Sequence, residues 1–222
     1  MKNISVLIVM FFAVTLASCF QVVEEIDLNG DGSGQMVLTL NLSESKTKIA
    51  SVLKMKTFNG RAIPSQSEIV SRIKKTAETI GETPGISNVK THTDFNNYIA
   101  EISFRFKDVS QVNAVSKRLF TEYKIKIANA AVYNYNKTDK VFSRKYIHNA
   151  ETKKAYNTLN ATDKSVFENA DYTSIYRFAS PVASQSNTTA KISKSGKAVM
   201  QQTTMLSVIH ARTNLSNTIK LK

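Results

Sequence analysis

The chain has 222 residues, 30 Lys plus Arg against 17 Asp plus Glu, and one Cys. The length suits one ordinary domain with a real core, and the 42% hydrophobic content is too high for a disordered chain. A lone Cys excludes an internal disulfide and a multi-thiolate metal site, and the three His residues, at 92, 148 and 210, leave little room for imidazole chemistry.

Residues 1–18 read as a secretory signal. Lys2 is the charged start, and Ile4 to Leu16 is an uncharged apolar run too short for a comfortable span of about 20 residues. The run ends Leu16-Ala17-Ser18-Cys19, which closely resembles the bacterial lipobox. That resemblance implies cleavage before Cys19 and a diacylglycerol on its sulfur. The division expected is therefore a lipoprotein signal peptide over 1–18 and one anchored domain over 19–222. Two or three acyl chains hold a protein stably, where one does so only marginally. No later stretch approaches 18 consecutive apolar residues. Phe20 and Gln21 follow Cys19, so the Asp that retains enteric lipoproteins in the inner membrane is absent. The expected address is the cell envelope, lipid-anchored in the outer membrane and facing the periplasm. Glu24 and Glu25 resemble the acidic export signals of some Bacteroidota lipoproteins but sit inside a strand pattern, which leaves surface exposure open.

In chain order, Gln21–Leu28 alternates weakly, residues 29–34 hold three of seven glycines, and Met36, Leu38, Leu40 and Leu42 recur at period two. This spacing predicts an opening β-hairpin. Ser43 or Ser45 is placed to cap a helix to about Lys56, and Ser67 to open a second over 68–81 with Ile69, Ile73, Ala77 and Ile80 on one face. A second hairpin is expected from Val89–Thr93 and Tyr98–Phe106, turned at Asn96-Asn97. A third helix starts at Asp108 or Ser110 and turns Val112, Val115 and Leu119 inward. A third hairpin joins Ala130–Tyr135 to Val141–Ile147. A polar helical stretch, 150–169, is expected to break near Asn160. Strands resume from Tyr172, with a turn at Ser195-Gly196 and a short helix over Leu206–His210.

Asp27, Asn29, Asp31 and Gly32 match the first half of a calcium loop, but the twelfth position, which should hold a bidentate acid, is Leu38. The segment reads instead as a Gly-rich turn. Its glycines open a strand rather than a helix, which removes a dinucleotide cradle. Gly-x-Ser-x-Gly and His-Glu-x-x-His do not occur. Ser43-Glu44-Ser45-Lys46 has the Ser-x-x-Lys spacing, but a helix start beside solvated lysines explains it. The reading is no enzyme, no cofactor and no metal.

Charge concentrates between Lys117 and Lys154, with ten bases against three acids and Tyr133, Tyr135, Phe142 and Tyr146 interleaved. For an exported lipoprotein this points away from nucleic acid and toward an anionic membrane or glycan, each base near such a surface contributing about 1 kcal/mol. The expected contacts are Lys117, Arg118, Lys124, Lys126, Lys137, Lys140, Arg144 and Lys145. The competing reading is a solvated face with its aromatics in the core.

The lipobox, the Gly-rich hairpin and the order of helices and hairpins resemble small envelope lipoproteins of Bacteroidota, as do Tyr176-Arg177-Phe178 and Asn217-Thr218-Ile219-Lys220. The element order is also loosely similar to the LppM-like lipoproteins, whose α+β domain has been associated with lipid-like ligands. The expectation is a single α+β domain, mostly antiparallel sheet built from hairpins with helices packed on one face. Its expected role is non-catalytic binding of an apolar or amphiphilic envelope ligand between sheet and helices. The alternative is a structural lipoprotein that docks a protein partner or an anionic surface through its basic face.

Overall fold

The computed structural model describes residues 20–58, 60–125 and 131–222. β1 (Gln21–Leu28) and β2 (Gly34–Asn41) form the opening hairpin, with Ile26 opposite Met36 and Val22 opposite Leu40. A 3-10 turn (Ser43–Ser45) and α1 (Lys46–Leu53) follow, then the short ribbon β3 (Thr57–Phe58) and β4 (Arg61–Ala62). Ser65, not Ser67, caps α2 (Gln66–Gly81): its hydroxyl accepts from the Glu68 N–H while the Glu68 carboxylate accepts from the Ser65 N–H, a reciprocal box. β5 (Ile86–Asp94) and β6 (Ile99–Phe106) make the second hairpin, and α3 (Gln111–Glu122) follows it. The third hairpin is β7 (Ala131–Asn136) with β8 (Val141–Tyr146). The polar stretch breaks as its sequence predicts, into α4 (Ala150–Asn157) and α5 (Ala161–Ser165), and the Asn160 side chain accepts from Asp163 N–H to start the second piece. The chain then adds β9 (Asp171–Phe178), β10 (Val182–Gln185), β11 (Lys191–Ile192), β12 (Ala198–Thr204), α6 (Met205–Ile209) and β13 (Asn217–Leu221).

The hairpins do not join one sheet. The main sheet runs β11-β12-β9-β1-β2-β6-β5, and a second runs β10-β13-β8-β7. All pairings in both are antiparallel except β1 with β9, which brings Val22 beside Tyr172 and Leu28 beside Phe178. The architecture is α+β. One face of the main sheet is covered partly by helices, as expected, and partly by the second sheet, which was not.

Period two sends Glu24, Ile26 and Leu28 of β1, Met36 of β2, Phe104 and Phe106 of β6, Tyr176 and Phe178 of β9 and Val199 of β12 to that inner face, where they are buried. They meet Tyr133, Tyr135, Phe142, Ile219 and Leu221 from the second sheet and Ile80, Val109, Val112 and Val115 from α2, α3 and its approach. Phe142 lies at the centre, with ring centroids 5.1 Å from Tyr176 and 5.6 Å from Phe178.

The domain has two distinct ends. At one lie the polar turns 29–33, 136–140 and 193–197: Lys137 lies against Gly32, and the Val182 N–H donates to the Gly196 carbonyl. At the other, β1 begins, in a row running Asp94, Ile99, Asn41, Gln21, Asp171 and Thr204 across the sheet. We call these the Gly32 end and the Phe20 end.

Candidate functional site

The inner face of β2 changes character along its length. Met36 is 9% exposed, Leu38 43% and Leu40 38%, although all three side chains share one face. Register places Ile102 beside Leu38 and Ala100 beside Leu40, with Thr91 and Thr93 next across on β5. The helix above follows the same gradient. α2 packs on β5 with its C-terminal end toward the Gly32 end; Thr79 and Ile80 there are buried, while Ile69 and Ile73, nearer the Phe20 end, are only half-buried. α1 has Ile49, Val52 and Leu53 along it and no buried residue. Burial of sheet and helices thus falls from the Gly32 end toward the Phe20 end. We call the apolar strip left open there, Leu38 and Leu40 with Ile102 and Ala100 beside them, the wedge. Fully burying a Leu contributes about 1.5–3 kcal/mol, so Leu38 and Leu40 each leave roughly 1 kcal/mol unrealised.

One strand away, the core is polar and sealed. Glu24, cross-strand partner of Leu38, is 7% exposed. Its Oε1 accepts from the Tyr133 hydroxyl at 2.6 Å and the Tyr176 hydroxyl at 2.9 Å, and its Oε2 from the Tyr172 hydroxyl at 2.8 Å. Arg144, 4% exposed, places a terminal nitrogen 3.6 Å from Glu24 Oε2 and donates to Tyr172 Oη at 2.7 Å and to the Leu215 carbonyl at 2.9 Å. Its guanidinium also lies 5.5 Å from the ring centres of Tyr146 and Tyr172. Burial, reinforced by the Glu24 charge, holds the hydroxyls of Tyr133 and Tyr176 far above the ordinary tyrosine range; burial does the same for Tyr172, against the opposing pull of Arg144. Burial works against the Arg144 charge, but Tyr172, Tyr176 and Glu24 more than offset it and raise its proton affinity further. A saturated acid–base–phenol cluster of this kind holds two sheets together. It leaves no oxygen open to a substrate.

The residues expected to meet an anionic surface are dispersed. Cys19 and Lys126 lie outside the described residues. Lys137 and Lys140 sit at the β7–β8 turn, at the Gly32 end, and Lys140 Nζ donates to the Lys222 carbonyl. Lys145 lies toward the other end of the same hairpin, opposite Val132. Lys117 and Arg118 are on α3, where Arg118 pairs with Glu82, and Lys124 follows that helix. Arg144 is corrected outright: in Phe142-Ser143-Arg144-Lys145 it shares the inward phase of Phe142, so its charge is buried against Glu24 and cannot touch a surface.

The motifs set aside in the sequence have local partners. Asp27 pairs with Arg177, and Asp31 accepts from both the N–H and hydroxyl of Ser33, closing the Gly-rich turn. Ser43 lies in the 3-10 turn and Lys46 opens α1, so the two do not share a helix face. His92 stands opposite Glu101, His148 lies between β8 and α4, and His210 packs edge-on to Tyr156. Among the described residues, no three His, Cys, Asp or Glu side chains gather as metal ligands would.

No known family matches the chain, and no curated protein matches it in sequence. Among solved structures, the NMR structure of the folded domain of the Mycobacterium tuberculosis LppM protein aligns over 95% of this chain and 94% of that one, with a TM-score of 0.44 and 10% identity. That is a distant likeness and says nothing of activity.

Proposed function

We propose that this protein is a non-catalytic, lipid-anchored envelope protein that holds the apolar part of an amphiphile in the wedge between β2, β6 and the helices. The observation that carries this reading is the exposure of Leu38 and Leu40 on the same face as the buried Met36. Their Ile102 and Ala100 neighbours extend that floor, and the threonines of β5 supply hydroxyls at its edge. The anchor is Cys19, and the setting is the outer membrane, facing the periplasm. The dispersed lysines do not favour a single basic docking face.

The test uses the full protein purified from membranes in mild detergent. A pyrene-labelled fatty acid should bind saturably. Leu38→Gln and Leu40→Glu should each weaken that binding at least about tenfold, a loss of about 1.4 kcal/mol, while the protein stays folded because both positions are partly open; Gln is used at 38 because a carboxylate there would face Glu24 across the strand pair. Unaltered affinity in both variants would sink the wedge as the site.

A further inference from the structure

We infer that the Phe20 end of the domain is itself a membrane contact, seated on the bilayer that the anchor enters. This rests on the acylation of Cys19 proposed above and adds an orientation to it. Cys19 is two residues from Gln21, where β1 starts, so the first strand begins within about 7 Å of the lipidated residue. No tether is left to lift the domain away, and the end that carries the row of Asn41, Gln21 and Asp171 must lie near the headgroups.

The two ends differ in what they show to such a surface. The turns at the Gly32 end, 29–33, 136–140 and 193–197, contain Asn, Asp, Gly, Ser, Thr and Lys and no large hydrophobic residue, although Ile192 lies open on the edge strand just before the last of them. At the Phe20 end the β5–β6 turn carries Phe95 and Tyr98, Ile147 follows β8 with half its surface open, and Leu40 looks out of the wedge. Phe20 stacks edge-on to Phe167, and Phe167 on Tyr156, so the first described residue is fixed to the body of the domain. Phe95 and Tyr98 are half-buried and Ile147 and Leu40 are exposed, a mix of aromatic and aliphatic side chains that suits the interfacial zone, where each has an apolar side to bury. Lys46 at the start of α1 and Lys145 on β8 are exposed nearby. The acids there are Glu44, Glu168 beside Phe167, Asp171, which accepts from the Gln202 side chain, and Asp94, whose carboxylate is taken up by Asn96 and Asn97. The wedge opens in the same direction, so a membrane amphiphile would reach Leu40 and Leu38 without crossing water.

The experiment uses the full, natively processed protein in vesicles of phosphatidylethanolamine and phosphatidylglycerol. Acylation blocks the native thiol, so Asn96→Cys, Ile147→Cys, Lys137→Cys and Lys194→Cys each provide one reactive site for a small fluorophore. Nitroxide lipids should quench positions 96 and 147 at least about threefold more than positions 137 and 194, with the order reversed for iodide in the water. Equal lipid quenching at both ends, or iodide access to 96 and 147 matching that at 137, overturns the orientation. The intact mass of the same samples keeps the two readings apart. Acylated protein without end-to-end contrast defeats the orientation alone, and an unmodified Cys19 defeats the anchor and the orientation with it.

Discussion

Glu24 and Arg144 are the residues on which the interior turns, because each would be several kilocalories per mole unfavourable in the core without the other. Removing one leaves the second buried and uncompensated, so Glu24→Ala or Arg144→Ala should lower the unfolding free energy by about 3–5 kcal/mol. The double change to Leu and Met should cost far less than the two single changes together. Urea denaturation of the four proteins compares the cost of an unpaired buried charge with that of an apolar replacement of the pair. The tyrosines around Glu24 set the alkaline limit. Their folded-state proton affinity is raised, chiefly by burial, so their contribution is intact below the ordinary tyrosine pKa of about 10. Above it the unfolded chain loses protons that the folded chain keeps, and stability falls as pH rises. Ultraviolet titration should show Tyr133, Tyr172 and Tyr176 ionising only with unfolding, and the melting temperature should decline above about pH 10. Glu24 was legible in part: Val22, Ile26 and Leu28 share its phase, as Phe142 and Tyr146 share that of Arg144. One acid and one base on the apolar phase of two strands is the signature of a buried pair. The density of lysines around Arg144 hid it.

Among the elements, hairpins and helix breaks were readable because they are set by neighbours in sequence. Asn160 starting α5 and Ser195-Gly196 turning before β12 are local chemistry, and both stand where expected. Asn160→Ala should therefore cost about 0.5–2 kcal/mol, visible as a lower urea midpoint. What local pattern cannot give is which hairpin pairs with which. β7–β8 alternates like the other hairpins, yet it pairs with β13 in a separate sheet, and β9 lies parallel to β1 across nearly the whole chain. The wedge was equally hidden. Met36, Leu38 and Leu40 are indistinguishable as a period-two run, and only the tertiary packing above each one separates them. Met36→Ala should cost about 2–5 kcal/mol and Leu38→Ala less than about 2 kcal/mol, since a half-open side chain loses less and leaves no closed cavity. Gly85, at φ +83°, shows the same dependence on tertiary contact: a Cβ there would collide with the Gln111 side chain, whose Oε1 accepts from Lys107 and Asp108 N–H at 2.9 and 3.1 Å. Gly85→Ala should accordingly lower the melting temperature, with the loss appearing first as faster hydrogen exchange at the start of α3.

At the scale of the whole molecule, the order of strands ties the beginning of the chain to its end. β1 occupies the middle of the main sheet between β9 and β2, so that sheet cannot be completed until residues about 150 positions apart have met, a topology that favours slow folding. β13 plays the corresponding part in the second sheet. It lies between β10 and β8, with Asn217, Ile219 and Leu221 buried on its inner face and the Asn217 side chain accepting from Ser186 and Asn187. Deleting Asn217–Lys222 would leave β8 and β10 with unpaired edges facing each other across an empty slot and uncover Phe142 beside Ile219. The main sheet would keep its own ladder but lose part of the cover that holds Arg144 against Glu24. Such a truncated chain should retain much of its far-ultraviolet circular dichroism while losing near-ultraviolet tyrosine signal and a sharp thermal transition. A variant with β13 intact but Ile219→Ala should still unfold cooperatively, with its unfolding free energy lowered by about 2–5 kcal/mol through lost core packing. A sharp, native-like transition in the truncated chain would mean that the second sheet is dispensable and that the main sheet and helices form the core on their own.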